Sequence, residues 1–193
     1  TTYTVTGVQA NGCTVVLTSF VTVLSQPTLS LSTINITCFG AKNGSISSTP
    51  ASGGAPYQFS LNGSAFTTPS TFTGLAPGTY TVITKDNNGC VSPPVNANIF
   101  QPALLTASVG GIVNVSCFGG NNGSAIGSQT GGTPGYQYSL NGGAYGPPNF
   151  GGLSAGTYTI TVKDANSCIS AGANFSVTQS PPITSSISFF TNA

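Results

Sequence analysis

A chain of 193 residues with three Lys, two Asp and a net charge of +1 has 3% charged residues, where an ordinary domain has about one quarter. That excludes the Lys/Arg clusters that displace counterions from nucleic acid and any polybasic membrane patch, and no apolar run reaches spanning length. With no His, Glu or Arg, general acid–base chemistry lacks its usual groups, so neither an enzyme nor a cofactor is expected.

The chain repeats itself. Residues 1–13, TTYTVTGVQANGC, match the block that ends at Cys90 (FTGLAPGTYTVITKDNNGC, 72–90) and again at Cys168 (FGGLSAGTYTITVKDANSC, 150–168). Residues 36–45, ITCFGAKNGS, return as VSCFGGNNGS at 115–124. The offsets, 77 from Cys13 to Cys90, 79 from Cys38 to Cys117 and 78 from Cys90 to Cys168, indicate a tandem array of units of about 77 residues. Such units are small for a self-supporting core and usually need staples or neighbours.

The first 26 residues read as the tail of a preceding unit. Complete units follow at 27–101 and 102–181, with Gln26-Pro27, Gln101-Pro102 and Gln179-Ser180-Pro181 as equivalent seams. In the first, Tyr57, Phe59 and Leu61 alternate with polar residues, which places one face inward. Asn62-Gly63 then favours a type I′ hairpin turn. Tyr80 and Val82 alternate with Thr79 and Thr81, and Val95, Ala97 and Ile99 form the last strand. The second unit repeats this with Tyr136, Tyr138 and Leu140, Asn141-Gly142, Tyr158, Ile160 and Val162, then Ala173, Phe175 and Val177. Residues 182–193 read as the first strand of a following unit or as a donor strand. β-branched residues, Gly and Pro leave no convincing helix. The fold expected is all-β: tandem small Ig-like antiparallel sandwiches of about seven strands each. The shared pattern L-x-x-G-x-Y at Leu75–Tyr80 and Leu153–Tyr158 suits a tyrosine corner at Tyr80 and Tyr158.

The combined motif C-F-G-x-x-N-G-S, G-G-x-P-x-Y-x-x-S-L-N-G, G-L-x-x-G-T-Y-T and K-D-x-N-x-C resembles the SprB-type repeat of large cell-surface and secreted proteins of Bacteroidetes, gliding adhesins among them. Residues 1–13 depart from it, with Gly7-Val8-Gln9 where later units have Thr84-Lys85-Asp86. The resemblance implies an extracellular, non-enzymatic, β-rich stalk or adhesive surface, and names no ligand.

By repeat position Cys38 is expected to pair with Cys90 and Cys117 with Cys168, each within its unit, and Cys13 with a cysteine outside this segment. Such a loop closure contributes on the order of 4 kcal/mol and implies an oxidising compartment; the alternative is buried, reduced thiols. No C-x-x-C or His supports a metal site. Six N-x-S/T sequons, at Asn35, Asn43, Asn62, Asn114, Asn122 and Asn174, offer surface glycosylation or turn chemistry. Asp86 and Asp164, one per unit, fit turn residues better than calcium ligands. Thr79/Thr81 and Thr157/Thr159/Thr161 recur as in ice-ordering arrays or as plain β-propensity. Tyr145 and Phe66 are the aromatic platforms a carbohydrate-binding module would use.

Exposed sheet edges without charge invite pairing. The leading expectation is a structural subunit of an extracellular filament, a homopolymer joined head to tail by strand exchange, with Ile183, Ile187, Phe189 and Phe190 in the assembly strand and glycans as possible covalent additions. The alternative is the stalk of a large surface adhesin.

Overall fold

The structure, a computed structural model, describes residues 2–187. It divides into two compact units, Thr1–Ile34 with Ser45–Ile99, and Asn35–Gly44 with Phe100–Ala193. Among the described residues every regular element is a strand.

The first unit opens with a hairpin of β1 (Thr2–Val8) and β2 (Thr14–Phe20), which pair only with each other. Six strands follow: β3 (Thr28–Ile34), β4 (Gly44–Ala51), β5 (Gln58–Leu61), β6 (Thr71–Leu75), β7 (Gly78–Lys85) and β8 (Val95–Ile99). They form two antiparallel sheets in the orders β3-β4-β6 and β5-β7-β8. The second unit repeats the plan with β9 (Thr106–Val113), β10 (Gly123–Thr130), β11 (Gln137–Leu140), β12 (Asn149–Leu153), β13 (Gly156–Lys163) and β14 (Ala173–Val177), in sheets β12-β10-β9 and β11-β13-β14.

Each sandwich follows from its period-two pattern. Ile160 and Val162 on β13 point inward and are fully buried, joining Leu105, Ala125, Tyr138, Leu153, Phe175 and Val177 in one core. In the first unit Ile46, Phe59, Leu75, Val82, Ala97 and Ile99 are the buried counterparts. Asn62 and Gly63, with φ of 50° and 75°, and Asn141 and Gly142, with 49° and 74°, make the two left-handed turns that Asn-Gly permits. A buried serine locks each turn from inside: Ser60 donates to the Ser64 carbonyl at 2.6 Å and Ser139 to that of Gly143 at 2.7 Å.

Three expectations change. Each sandwich has six named strands, not seven, because the C-F-G-x-x-N-G-S stretches are loops up to the glycine that opens β4 or β10. An asparagine folds each loop on itself, Asn43 onto Thr37 and Asn122 onto Ser116. Gln26-Pro27 and Gln101-Pro102 are not equivalent seams. β3 begins at Thr28 and β9 at Thr106, so buried Pro27 stands where buried Leu105 stands. Gln101 matches Gln179 instead, the two side chains accepting from Gly40 and Gly119 N–H at 2.9 and 2.8 Å. Finally, loop 35–44, written in the sequence of the first repeat, belongs to the second compact unit.

Candidate functional site: the cysteine loops and the bare hairpin

Two kinds of loop carry the cysteines. The early loops, 35–44 and 114–123, are tied at the trailing end of a repeat. Asn35 Oδ1 accepts from Phe100 N–H at 3.0 Å, and Asn114 Oδ1 from Thr178 N–H at 2.9 Å. The late loops are built on an aspartate. Asp164 accepts from the N–H groups of Asn166 and Cys168 in its own turn and of Thr133 on a neighbouring loop, each at 2.9 Å. Asp86 does the same with Asn88 (2.9 Å), Cys90 (2.8 Å) and Gly54 (3.0 Å). The Gly54 N–H is the largest influence holding the Asp86 carboxyl below its usual range; burial opposes it, and the Cys90 and Asn88 N–H groups add to the lowering. These aspartates organise the turns that present the cysteines, with their oxygens engaged by backbone donors.

Cys38 is bonded to Cys168, with a Cα–Cα distance of 5.7 Å and a sequence separation of 130. The expected pairs Cys38–Cys90 and Cys117–Cys168 are not formed; Cys13, Cys90 and Cys117 are free thiols. The reason is the length of the sandwich. Strand β13 runs eight residues from Gly156, beside Val177 and the Cys117 loop, to Lys163, beside the Cys168 loop. At about 3.3 Å per residue that is roughly 26 Å, far beyond the reach of about 7 Å of a disulfide. The early and late cysteines of one repeat lie at opposite ends. Cys38 instead meets the late loop of the next repeat, where Asn166 Nδ2 also donates to the Thr37 carbonyl at 3.1 Å.

The other sequence-predicted residues occupy clear places. The Tyr80 and Tyr158 hydroxyls donate to the carbonyls of Ala76 and Ser154, each at 2.9 Å, the geometry of a tyrosine corner. All six sequon asparagines are exposed, and each uses its carbonyl oxygen structurally. Asn62 accepts from Thr81 N–H, and Asn174 from the Thr159 hydroxyl. The outward threonines Thr79 and Thr81 spend their hydroxyls on Asn98 and Asn96 across the strand pair. Phe66 and Tyr145 are half-buried and lie under lysines, with Lys85 Nζ 4.6 Å and Lys163 Nζ 4.5 Å from the ring centroids. Ile183 and Ile187 are exposed, and Phe189 and Phe190 lie outside the described residues.

Sequence reasoning missed the β1–β2 hairpin's condition. Val5 holds the repeat position of Val82, yet it is 66% exposed where Val82 is 0% exposed. Val15, Leu17 and Phe20 on β2 are exposed as well. The hairpin carries a core face with no second sheet upon it among the described residues.

The family model described as the SprB repeat matches residues 30–66 and again 110–145. No curated protein sequence matches the chain. Among solved structures, the three N-terminal domains of the highly immunogenic outer capsid protein (Hoc) of bacteriophage RB49 superpose with a TM-score of 0.50 at 13% identity, over 79% of this chain and 59% of that one. The fibronectin(III)-like modules of Clostridium thermocellum CbhA give 0.31 at 15% identity, over 78% and 95%. A Dscam structure gives 0.36 at 14%, over 88% and 52%. The chain thus spans about three fifths of the phage fragment, and the likeness is one of fold, an Ig-like sandwich. Both matched segments run from the first strand of a sandwich through its early cysteine loop and Asn-Gly turn, and over these two segments the chain is similar to the SprB repeat.

Proposed function

We propose that the chain is a structural subunit of an extracellular filament, whose copies join head to tail by strand exchange. The observation that supports this is the scarcity of charge, 3% of the residues. Val5, Val15 and Leu17 share one face of the hairpin, and burying a valine contributes about 1.5–3 kcal/mol, so that face favours association. The near-absence of charge removes the usual protection of exposed strands. The exposed segment around Ile183 and Ile187 repeats the start of β9 and supplies a strand for a neighbour's sheet. The disulfide supports an oxidising, extracellular setting, and the exposed sequons accept sugars without losing their carbonyl bonds. Repeat and Ig-like domains serve here as scaffold rather than as enzyme.

Electron microscopy of the purified chain tests this. Regular filaments are expected, and deletion of residues 183–193 should abolish them while the disulfide-bonded sandwiches stay folded. Filaments that survive the deletion would overturn strand exchange. A monomer at all concentrations would favour the second reading, an adhesin stalk, which the disulfide between successive repeats of one chain also suits.

A further inference from the structure

The first sandwich carries a polar cavity of about 310 Å³, lined by its late loop and by strands β5 and β7. Small-molecule sites span about 300–1,000 Å³. Pro56 and Tyr57 form an apolar wall. The Tyr57 hydroxyl donates to the Ser52 carbonyl at 2.8 Å, which spends the hydroxyl and fixes the ring. Around it stand Gln58, Thr68, Lys85 and Asn87. Gln58 and Lys85 face each other across the β5–β7 pair, so both side chains leave one face of the sheet. The hydrogen bonding here is unspent. Elsewhere on the surface hydroxyls and amides bond to one another, as Thr79 does to Asn98 and Thr81 to Asn96. Among the described residues the side chains of Gln58, Thr68 and Asn87 bond to no other group of the chain; Gln58 and Asn87 use their backbones alone. Two carboxamides and a hydroxyl, each both donor and acceptor, therefore surround a fixed ring.

The second sandwich is the natural comparison. It keeps Tyr136, Gln137, Lys163 and Asp164 at the equivalent places, with the Tyr136 hydroxyl bonded to the Gly131 carbonyl and Gln137 paired with Lys163. It has Gly135 in place of Pro56, Pro147 in place of Thr68 and Ala165 in place of Asn87. Two of the three free polar side chains are gone. Gly135 lies so near Ala165 that a Cβ on it would be 3.0 Å from the Ala165 Cβ, so the backbone closes on the late loop there. The openness of the first cavity is not the mark of an absent neighbour. In the second sandwich the Cys38 loop is bonded to the late loop, and Gly135, Gln137, Pro147 and Ala165 are nevertheless exposed.

We propose that this cavity of the first repeat binds one pyranose unit of a neutral polysaccharide. Tyr57 and Pro56 take the C–H face of the sugar ring, and Gln58, Thr68 and Asn87 exchange hydrogen bonds with its hydroxyls. A neutral ligand fits because the cavity holds one positive and one negative charge, Lys85 and Asp86. Lys85 rests on the Phe66 ring, and the Asp86 oxygens are taken up by the N–H groups of Gly54, Asn88 and Cys90. Neither charge is left to select an ion. The site does not depend on how copies of the chain assemble.

The test is an NMR titration of the intact ¹⁵N-labelled chain. Cellohexaose, laminarihexaose, mannohexaose and xylohexaose serve as neutral probes, and a galacturonate hexamer as the acidic one. With at least one neutral probe, saturable amide shifts are expected at 57–58, 68 and 85–89. Residues 135–137 and 163–167, the control within the same molecule, should not move. Asn87→Ala installs the residue that the second sandwich carries at that place and should weaken binding about tenfold, the loss of one hydrogen bond. Gln58→Ala should do the same. In both variants amides away from the cavity should keep their positions, as the sign of a folded chain. No saturable shift with any neutral probe, equal shifts in the two repeats, or a response to the galacturonate alone would overturn the proposal.

Discussion

Replacing Cys90 with serine is expected to leave the stability of the monomer unchanged, whereas Cys38→Ser and Cys168→Ser should each cost about as much as the other. The Cys38–Cys168 bond spans a separation of 130 residues. Loop-closure entropy for a ring of that size amounts to roughly 5 kcal/mol at 25 °C. That figure is an upper bound, because residual structure in the unfolded chain reduces it. Both cysteines lie in the second compact unit, so the loss appears in that unit's transition. Because the two substitutions remove one bond, the double variant should be no worse than either single one. The assay is urea denaturation at low protein concentration, followed by tyrosine fluorescence, with free thiols alkylated beforehand. Pairing within repeats would instead make Cys90→Ser cost on the order of 4 kcal/mol for its shorter loop. A Cys90→Ser loss equal to that of Cys38→Ser would refute the cross-repeat arrangement.

Ile160→Ala removes a fully buried side chain from the centre of the second core and should cost about 2–5 kcal/mol by chemical denaturation. Tyr158→Phe deletes the hydroxyl that donates to Ser154 and should cost about 1 kcal/mol while the sandwich persists, as judged by circular dichroism. Ser48 carries a buried hydroxyl oxygen without a hydrogen-bond partner, so Ser48→Ala should be neutral or stabilising, and a melting point lower than the parent's would contradict that account. Asp86 has a carboxyl held below its usual value in the folded state. Its contribution is therefore complete above the unfolded value near pH 4 and is lost as pH falls through the lower folded value. Melting points between pH 6 and pH 2 should fall in the acid limb for the parent and fall less steeply for Asp86→Asn.

Local rules carried much of the fold. Alternation around Tyr57–Leu61 and Tyr136–Leu140 placed hairpin arms, and Asn-Gly placed their turns, because both signals depend on residues a few positions apart. L-x-x-G-x-Y placed the corner for the same reason. The disulfide depended on something non-local. Composition identifies Cys38 and Cys117 as one kind and Cys90 and Cys168 as another, but both pairing schemes respect that distinction. Only the eight-residue length of β13, set between the two loops, decides that a repeat cannot bridge itself. The Gln-Pro seam misled because a dipeptide recurs by composition, whereas burial shows Pro27 filling the place of Leu105. The bare hairpin was invisible because β1 has the pattern of any half-buried strand; exposure is a property of what covers it.

A cysteine placed at each end of a sandwich changes what a repeat is. Alone, a unit of about 77 residues gains nothing from its two thiols, since they are too far apart to meet, and it remains near the lower limit of a self-supporting core. The early loop of the first repeat is instead tied to the late loop of the second by one covalent bond, Cys38–Cys168, and one Asn-to-carbonyl bond, Asn166–Thr37. Stabilisation then belongs to junctions rather than to domains, and it grows with the number of neighbours, as in other one-dimensional arrays. The surface fits this arrangement. Charge would keep such units apart, and at 3% the chain has little of it. What remains outward is Ser, Thr and Asn bonded to one another across strands, as Thr79 is to Asn98, a covering that tolerates close neighbours.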